Sequence, residues 1–464
     1  MKKKLLTLSI SSAIGFMILG VASCNATTKP VENEPSSAEE IINPKEDYVT
    51  GESVKKLNSL GEKGKYNYET FRSDAYQNGL KKFNSFSSKL SSEIISSYEK
   101  TDENIAVSPL SLFLASSMEA EVTAGKTREE LLGLIGLNIE ESRAFNKNLY
   151  DFSNFITYSE NYNGEKLELE AMLELNNSIW MALDLDPKEA CLNNLSQYYY
   201  CEAYEADFEN QIDEVNKAVT EYVKAKTRGL IDKDFEMSSE TMCAVINTLY
   251  LKDIWGSFDL QYTKDSYKFI NADGTTVENN LLSGNYFNGK KYENKLYSSF
   301  FTATKNGFKL TFIKPNEGVK LGEVFTESTI KEACDGFKYV TRDEDKKERY
   351  ETRCFFPEFE AGFDGEVQGE FKKLGIGELF NPFGANFSSI TDKQLYCDRV
   401  IHGTKFKVDK VGIEGAAVTI FDNKAGSAYD EFKVIYDDFV LDRDFGFVLS
   451  YRDSPVFVGK VNKI

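Results

Sequence analysis

The sequence predicts an α+β fold, and three observations carry that prediction. Amphipathic helical stripes dominate the first half of the chain, and strand-length runs rich in Val, Ile, Phe and Tyr follow Met242. The last of these runs, Phe445 to Lys460, reads as a terminal hairpin. Helices gathered first and antiparallel strands later indicate an α+β fold rather than alternating βαβ units.

Taken in order, Leu80, Phe83, Phe86, Leu90 and Ile94 recur at three- and four-residue steps and predict a helix from Tyr76 to Tyr98. Ser108 followed by Pro109 gives an N-cap and a first-turn proline for a second helix. Thr127-x-x-Glu130 reads as a capping box that opens a third. Asn216 to Ala225 has the pattern of a fourth. Strands are expected at Ala244–Lys252, Leu296–Thr304, Phe308–Lys314 and Tyr350–Phe356. There is no internal repeat. The stretch from Val411 to about Tyr436 is too long for an ordinary connection in a compact domain, and such loops are usually functional or disordered.

Composition narrows the function. Two-fifths of the 464 residues are hydrophobic, enough for a sizeable core, while the net charge is −19. That balance argues against nucleic acid and other polyanions as partners, because phosphate or sulfate binding needs clustered Lys and Arg.

The N-terminus reads as a processing signal. Lys2, Lys3 and Lys4 precede an apolar stretch from Leu5 to Leu19 that is too short for a confident membrane span. It ends in Val21-Ala22-Ser23-Cys24, which resembles a bacterial lipobox. By that resemblance residues 1–23 are removed and Cys24 carries the acyl chains that hold an exported envelope lipoprotein to the membrane. Plain secretion with a coincidental Cys is the alternative. Residues from Asn25 to about Lys65 are rich in Glu, Ser, Pro, Lys and Asn, and are read as a flexible tether, so the domain division is 24–70 for anchor and tether and 71–464 for the folded part.

Six further cysteines, Cys191, Cys201, Cys243, Cys334, Cys354 and Cys397, show no CxxC or Cys/His spacing. No metal or cofactor is therefore expected. Cys191 with Cys201 is the one locally plausible disulfide, and buried free thiols are equally compatible. The single histidine, His402, lies in a strand-like run with no nucleophile motif nearby, so it reads as a structural group rather than a general base. Gly125-Lys126-Thr127 hints at a phosphate loop, but the required upstream glycine is replaced by Ala120.

The segment Val411-Gly412-Ile413-Glu414-Gly415-Ala416-Ala417-Val418-Thr419 carries the most information. As an extended strand it puts Ile413, Gly415, Ala417, Thr419, Phe421 and Asn423 on one uncharged face. Glu414, Asp422 and Lys424 fall on the other. Gly and Ala at its centre give weak strand commitment. It reads as a strand formed only conditionally, or else as a half-buried strand with a Gly-rich bend.

This segment resembles the hinge of the reactive-centre loop in serpins. The resemblance extends in family order along most of the chain, through Asn104-Ile105-Ala106-Val107-Ser108-Pro109-Leu110-Ser111, Thr227-Arg228-Gly229-Leu230-Ile231 and Asn247-Thr248-Leu249-Tyr250-Leu251-Lys252 with Trp255 and Phe258. It continues through Phe356-Pro357-Glu358-Phe359, Leu374-Gly375-Ile376 and Val456-Phe457-Val458-Gly459-Lys460-Val461. It implies the serpin fold, with helices packed on large, mostly antiparallel sheets and an exposed loop, and a non-enzymatic, monomeric inhibitor that traps a serine or papain-like cysteine protease in a covalent complex.

Carried over residue by residue, the hinge is Gly412 to Thr419, the shutter beneath it is His402 with Asn247 and Ser111 or Ser108, and the breach is Trp255. The scissile bond falls at Gly426-Ser427, with Lys424 or Lys433 as alternatives. Small residues around Gly426 suit an elastase-like, subtilisin-like or papain-like target. Ile413 departs from the family's usual Thr, and Asp442-Arg443-Asp444-Phe445 from its usual Asp-His-Pro-Phe. A serpin that is merely cleaved as a substrate, or serves as a binding protein, is the competing reading.

Overall fold

The computed structural model describes residues 52–464 apart from 61–62, 99–101, 161–166, 257–259, 285 and 415–431. Cys24 and the signal segment, Phe258, and the loop residues Gly415, Ala416, Ala417, Val418, Thr419, Lys424, Gly426 and Ser427 lie outside the described residues.

The helices are α1 (Asp74–Ser97), α2 (Pro109–Val122), α3 (Gly125–Ile135), α4 (Ile139–Ser153), α5 (Glu189–Tyr199) and α6 (Ile212–Lys226), with shorter ones later in the chain. The principal strands are β1 (Val54–Lys56), β2 (Ile105–Val107), β3 (Phe155–Glu160), β4 (Leu167–Ala182), β5 (Cys201–Ala206) and β6 (Cys243–Ile254). They continue as β7 (Tyr297–Ala303), β8 (Phe308–Pro315), β9 (Glu348–Phe356), β10 (Phe359–Glu366) and β11 (Ile401–Val408). The last four are β12 (Gly412–Ile413), β13 (Lys433–Val440), β14 (Phe445–Tyr451) and β15 (Ser454–Val461).

The principal sheet runs β1-β5-β4-β6-β12-β11-β10, and β2 links β10 to a second group ordered β15-β14-β8-β7. All pairings in the first run are antiparallel except β4 with β5. Among the described residues, β6 and β11 meet only through the two-residue strand β12. The α+β class is thus as the pattern indicated, and the large, mostly antiparallel sheet is as the serpin resemblance implied.

The apolar stripe of α1 goes inward, with Leu80, Phe83, Phe86, Leu90 and Ile94 all buried. Phe83 packs on Phe113 of α2 with ring centroids 4.8 Å apart. α2 is buried nearly all round, as a helix with apolar residues on every face should be. It runs between β6 and β15 and forms the floor under the principal sheet. Burying Phe83 and Phe113 contributes about 2–3 kcal/mol each.

Two expectations change, and of the two readings left open for Cys191 and Cys201 the buried free thiols are found. The Thr127 capping box is absent: α3 starts three residues earlier, at Gly125, and its N-cap Ala124 makes no side-chain bond. The Thr127 hydroxyl instead accepts from the Asn386 backbone N–H at 3.0 Å. Cys191 and Cys201 form no disulfide, and both are buried thiols. Burial pushes the Cys191 thiol up to about 12 and Cys201 well above its usual value. The tether is shorter than expected, because Val54–Lys56 adds an edge strand to β5 and Asn58 bonds the Cys201 carbonyl at 3.1 Å. Val54 is buried there, and an edge so covered is also protected against pairing with another chain.

Candidate functional site

The site is the upper end of the principal sheet, where a tight turn after β11 sends the chain back as β12. Asp409 makes the turn. Its Oδ1 accepts from the N–H groups of Val411 and Gly412 at 2.8 and 3.2 Å, and its own N–H donates to the Gly412 carbonyl at 3.0 Å. Trp255 clamps the turn from the end of β6, donating its indole N–H to the Asp409 carbonyl at 2.7 Å and its backbone N–H to Val411 at 3.1 Å. The indole is buried edge-on against Phe356, with ring centroids 5.5 Å apart.

Only glycine fits at 412. A Cβ there would lie 2.9 Å from the carbonyl carbon of Asp253 and the Cα of Ile254, and nearer still to the Asp253 oxygen. These are backbone atoms, so they cannot swing aside. Gly412 faces Ile254, and Ile413 faces Asp253 on one side and Val408 on the other. Ile413 is fully buried, so the chain after the turn is part of the sheet for two residues.

Asp253, one residue before Ile254, is a buried carboxylate held by the Ile254 N–H at 2.9 Å, the Asn306 side chain at 2.8 Å and N–H at 3.1 Å, and the Thr304 hydroxyl. Burial pushes its carboxyl up while those four donors pull it back. The odd face of the segment points inward at Ile413, as its parity requires. Glu414 lies on the opposite face but is not wet: its Oε2 is buried, and burial pushes its carboxyl up to about 8.

Farther down, His402 of β11 is buried, and its Nε2 accepts from the Ser108 backbone N–H at 3.1 Å. The imidazole is therefore neutral with its proton on Nδ1. Burial, with a smaller push from Lys233, lowers its pKa to about 3. The Ser108 hydroxyl caps α2 by accepting from the Ser111 N–H at 3.2 Å. The Ser111 hydroxyl is hydrogen-bonded to Asn247 Oδ1.

Asn247 in turn donates to Asn177 Oδ1 at 2.6 Å, and Asn177 donates to the Tyr199 carbonyl at 2.6 Å. A chain of polar contacts thus runs from β11 through the start of α2 to β6, β4 and α5. His402 reaches Ser108 through the backbone, and its recorded bond goes to neither the Ser111 nor the Asn247 side chain. Asn177 and Tyr199 were not singled out from the sequence. β6 is buried over Thr248–Ile254 but only half-buried over Cys243–Asn247, along the edge that faces β11.

Among the described residues no group of three or more His, Cys, Asp or Glu side chains could hold a metal ion. A neutral buried imidazole already accepting a hydrogen bond has no free lone pair for proton abstraction. What the arrangement can do is mechanical: a small-residue turn feeds one strand between two others above a buried polar relay.

The serpin family model, described as serine protease inhibitor, matches residues 81–464. An uncharacterized serpin-like protein of Methanosarcina acetivorans is 26% identical over 387 residues, covering 80% of this chain and 83% of that one. Human thyroxine-binding globulin is 25% identical over 372 residues, 78% of this chain and 84% of its own. The crystal structure of the thermophilic serpin tengpin in the native state superposes with a TM-score of 0.68 at 22% identity, covering 89% of this chain and all of that one. With the family match spanning residues 81–464, most of the chain, the chain belongs to the serpin family.

Proposed function

We propose that this protein is an irreversible suicide-substrate inhibitor of serine proteases, with papain-like cysteine proteases as a second target class. The observation that carries the reading is the register of β12. Ile413 faces Asp253 and Val408. Continued six residues, the same register lays Thr419 between Asn247, six before Asp253, and His402, six before Val408. The polar relay under the sheet then meets a Thr hydroxyl on the uncharged face of the loop. Two flanking strands agree on that position independently.

The protease nucleophile attacks the carbonyl carbon of Gly426, the Gly426–Ser427 peptide bond breaks, and the Ser427 amine leaves with the proton delivered by the protease. The new ester or thioester joins Gly426 to the protease. The freed arm from Gly412 follows Ile413 into the sheet. About fifteen residues at roughly 3.3 Å each carry the acylated protease about 50 Å. Distortion of its active site over that path stops water from releasing it. Of the alternative bonds, Lys433 starts β13 with its N–H bonded to the Lys347 carbonyl at 2.9 Å, an unfavourable substrate conformation. Lys424 stays in contention.

The chain is further proposed to be a monomeric, exported lipoprotein, anchored through acylated Cys24 and facing outside the cytoplasm, with a tether that ends near Ser53. The competing reading, a serpin that binds rather than traps, draws support from the likeness to thyroxine-binding globulin, a protein named for its ligand.

Mixing residues 52–464 with elastase, subtilisin, trypsin and papain and resolving the products on denaturing gels with mass spectrometry separates the two. A detergent-stable complex with release of a peptide beginning at Ser427 is the expected result. Clipping of the loop by every protease with no surviving complex would leave the binding reading standing.

A further inference from the structure

The hinge stops at two residues for a reason visible at Glu414. Its backbone is left-handed, with φ +54°, a conformation that turns the chain out of the sheet and that a Glu seldom adopts. Its N–H is nonetheless bonded to the Lys407 carbonyl at 2.8 Å, so the turn is tied down. The side chain is tied down as well.

It lies on the outer face of the sheet, where β6 presents Tyr250 and Lys252, because the alternate residues Leu249 and Leu251 face the core. β11 presents Lys405, and the connector after α6 presents Arg228, itself left-handed at φ +52°. Arg228 lies over the Tyr250 ring at 5.6 Å and is ion-paired with Glu174 of β4 at 3.7 Å. Into this enclosure Glu414 brings a carboxyl that is hydrogen-bonded with Tyr250 and whose Oε2 is buried with no partner of its own.

We propose that Glu414 is a latch on the hinge, seated in this enclosure while its carboxyl is neutral and released when the carboxyl ionises. For Gly415 to follow Ile413 into the sheet, residue 414 has to turn from left-handed to extended. It cannot do so while its side chain is held by Tyr250 beside Arg228.

Burial disfavours the ionised form, while Tyr250, Lys252, Arg228 and Lys405 favour it. Burial wins, which is why the carboxyl titrates near 8 rather than at its usual value. The seated state binds a proton that the released state, with Glu414 in water, gives up. Seating is therefore strongest below the carboxyl's usual value, weakens about tenfold per pH unit as pH rises towards about 8, and is level above it. A trigger for insertion would thus be built into the loop's own third residue. Its purpose rests on the inhibitory reading, whereas the latch itself can be read with no protease present.

Hydrogen exchange of the hinge peptide, followed by mass spectrometry on the intact protein from pH 6 to pH 10 and corrected for intrinsic exchange, tests it. Protection around Glu414 should fall about tenfold from pH 7 to pH 9 in the wild type. Glu414→Gln keeps the shape and cannot ionise, so its protection should be level across the range. A wild type with no step, or an equal step in Glu414→Gln, overturns the proposal. Should that variant not fold, Tyr250→Phe reads the same claim. Losing the hydroxyl should move the wild-type midpoint upward, and an unmoved midpoint overturns the proposal just as firmly.

Discussion

Replacing Gly412 by Val would expel the hinge from the sheet, because the new side chain meets backbone atoms of Asp253 and Ile254 that have nowhere to go. Seating currently rests on two contributions. Full burial of Ile413 gives about 2–3 kcal/mol. The three backbone bonds from Trp255, Asp409 and Glu414 add about 1 kcal/mol each. Ordering Val411, Gly412 and Ile413 costs about 1–2 kcal/mol per residue. The balance is about 1–2 kcal/mol, or roughly tenfold in hinge occupancy.

Under the proposed mechanism, loss of a seated hinge would remove the first two steps of the insertion ladder, so hydrolysis of the acyl-enzyme would gain time. The assay is the partition between detergent-stable complex and nicked chain when protease is titrated into inhibitor. Gly412→Val should shift that partition toward nicked chain by about tenfold, with unchanged cleavage of the loop. Trapping equal to the wild type would refute the argument that pre-seating matters.

Other expectations follow from the relay. His402 has its pKa lowered to about 3, so the unfolded chain binds the extra proton between about pH 6.5 and pH 3. Stability from this group is fully present above pH 6.5 and is lost as pH falls; denaturant midpoints should show about 3 kcal/mol lost from pH 7 to pH 4.5, and His402→Gln should flatten that slope. Asn177→Ala leaves Asn247 Nδ2 and the Tyr199 carbonyl without their partner and should cost about 1–3 kcal/mol in urea unfolding. Asp253→Ala strips four donors of their acceptor and should cost more than Asn177→Ala in the same measurement.

How far the sequence speaks for the fold can be judged from single elements. α1 was legible because Leu80, Phe83, Phe86, Leu90 and Ile94 keep one face for about four turns and nothing competes with it. β4 carries an equally readable pattern: Leu167, Leu169, Ala171, Leu173 and Leu175 alternate with Glu168, Glu170 and Glu174, the period-two signature of a strand with one apolar face. Asn138-x-x-Glu141, not Thr127-x-x-Glu130, is the true capping box, with both reciprocal bonds made at the start of α4. Local spacing alone cannot tell the two apart, since Thr127 is drawn off by Asn386, distant in sequence.

The strap at residues 53–60 was hidden by its composition, because it docks through one buried Val and several polar bonds such as Lys56 to Glu202 at 2.5 Å. At the site, parity placed Ile413 inward and Glu414 outward correctly. It did not foresee that Tyr250 and Arg228 would cover the outer face, because burial of an outward residue depends on what a distant connector lays over it.

The central claim, that cleavage frees a strand which the principal sheet accepts, is tested most directly by thermal unfolding of residues 52–464 before and after the loop is nicked. Roughly a dozen new ladder bonds at about 1 kcal/mol each should raise the midpoint by more than about 10 °C. A nicked protein that melts at or below the temperature of the intact one would contradict the account, whatever complexes are seen on a gel.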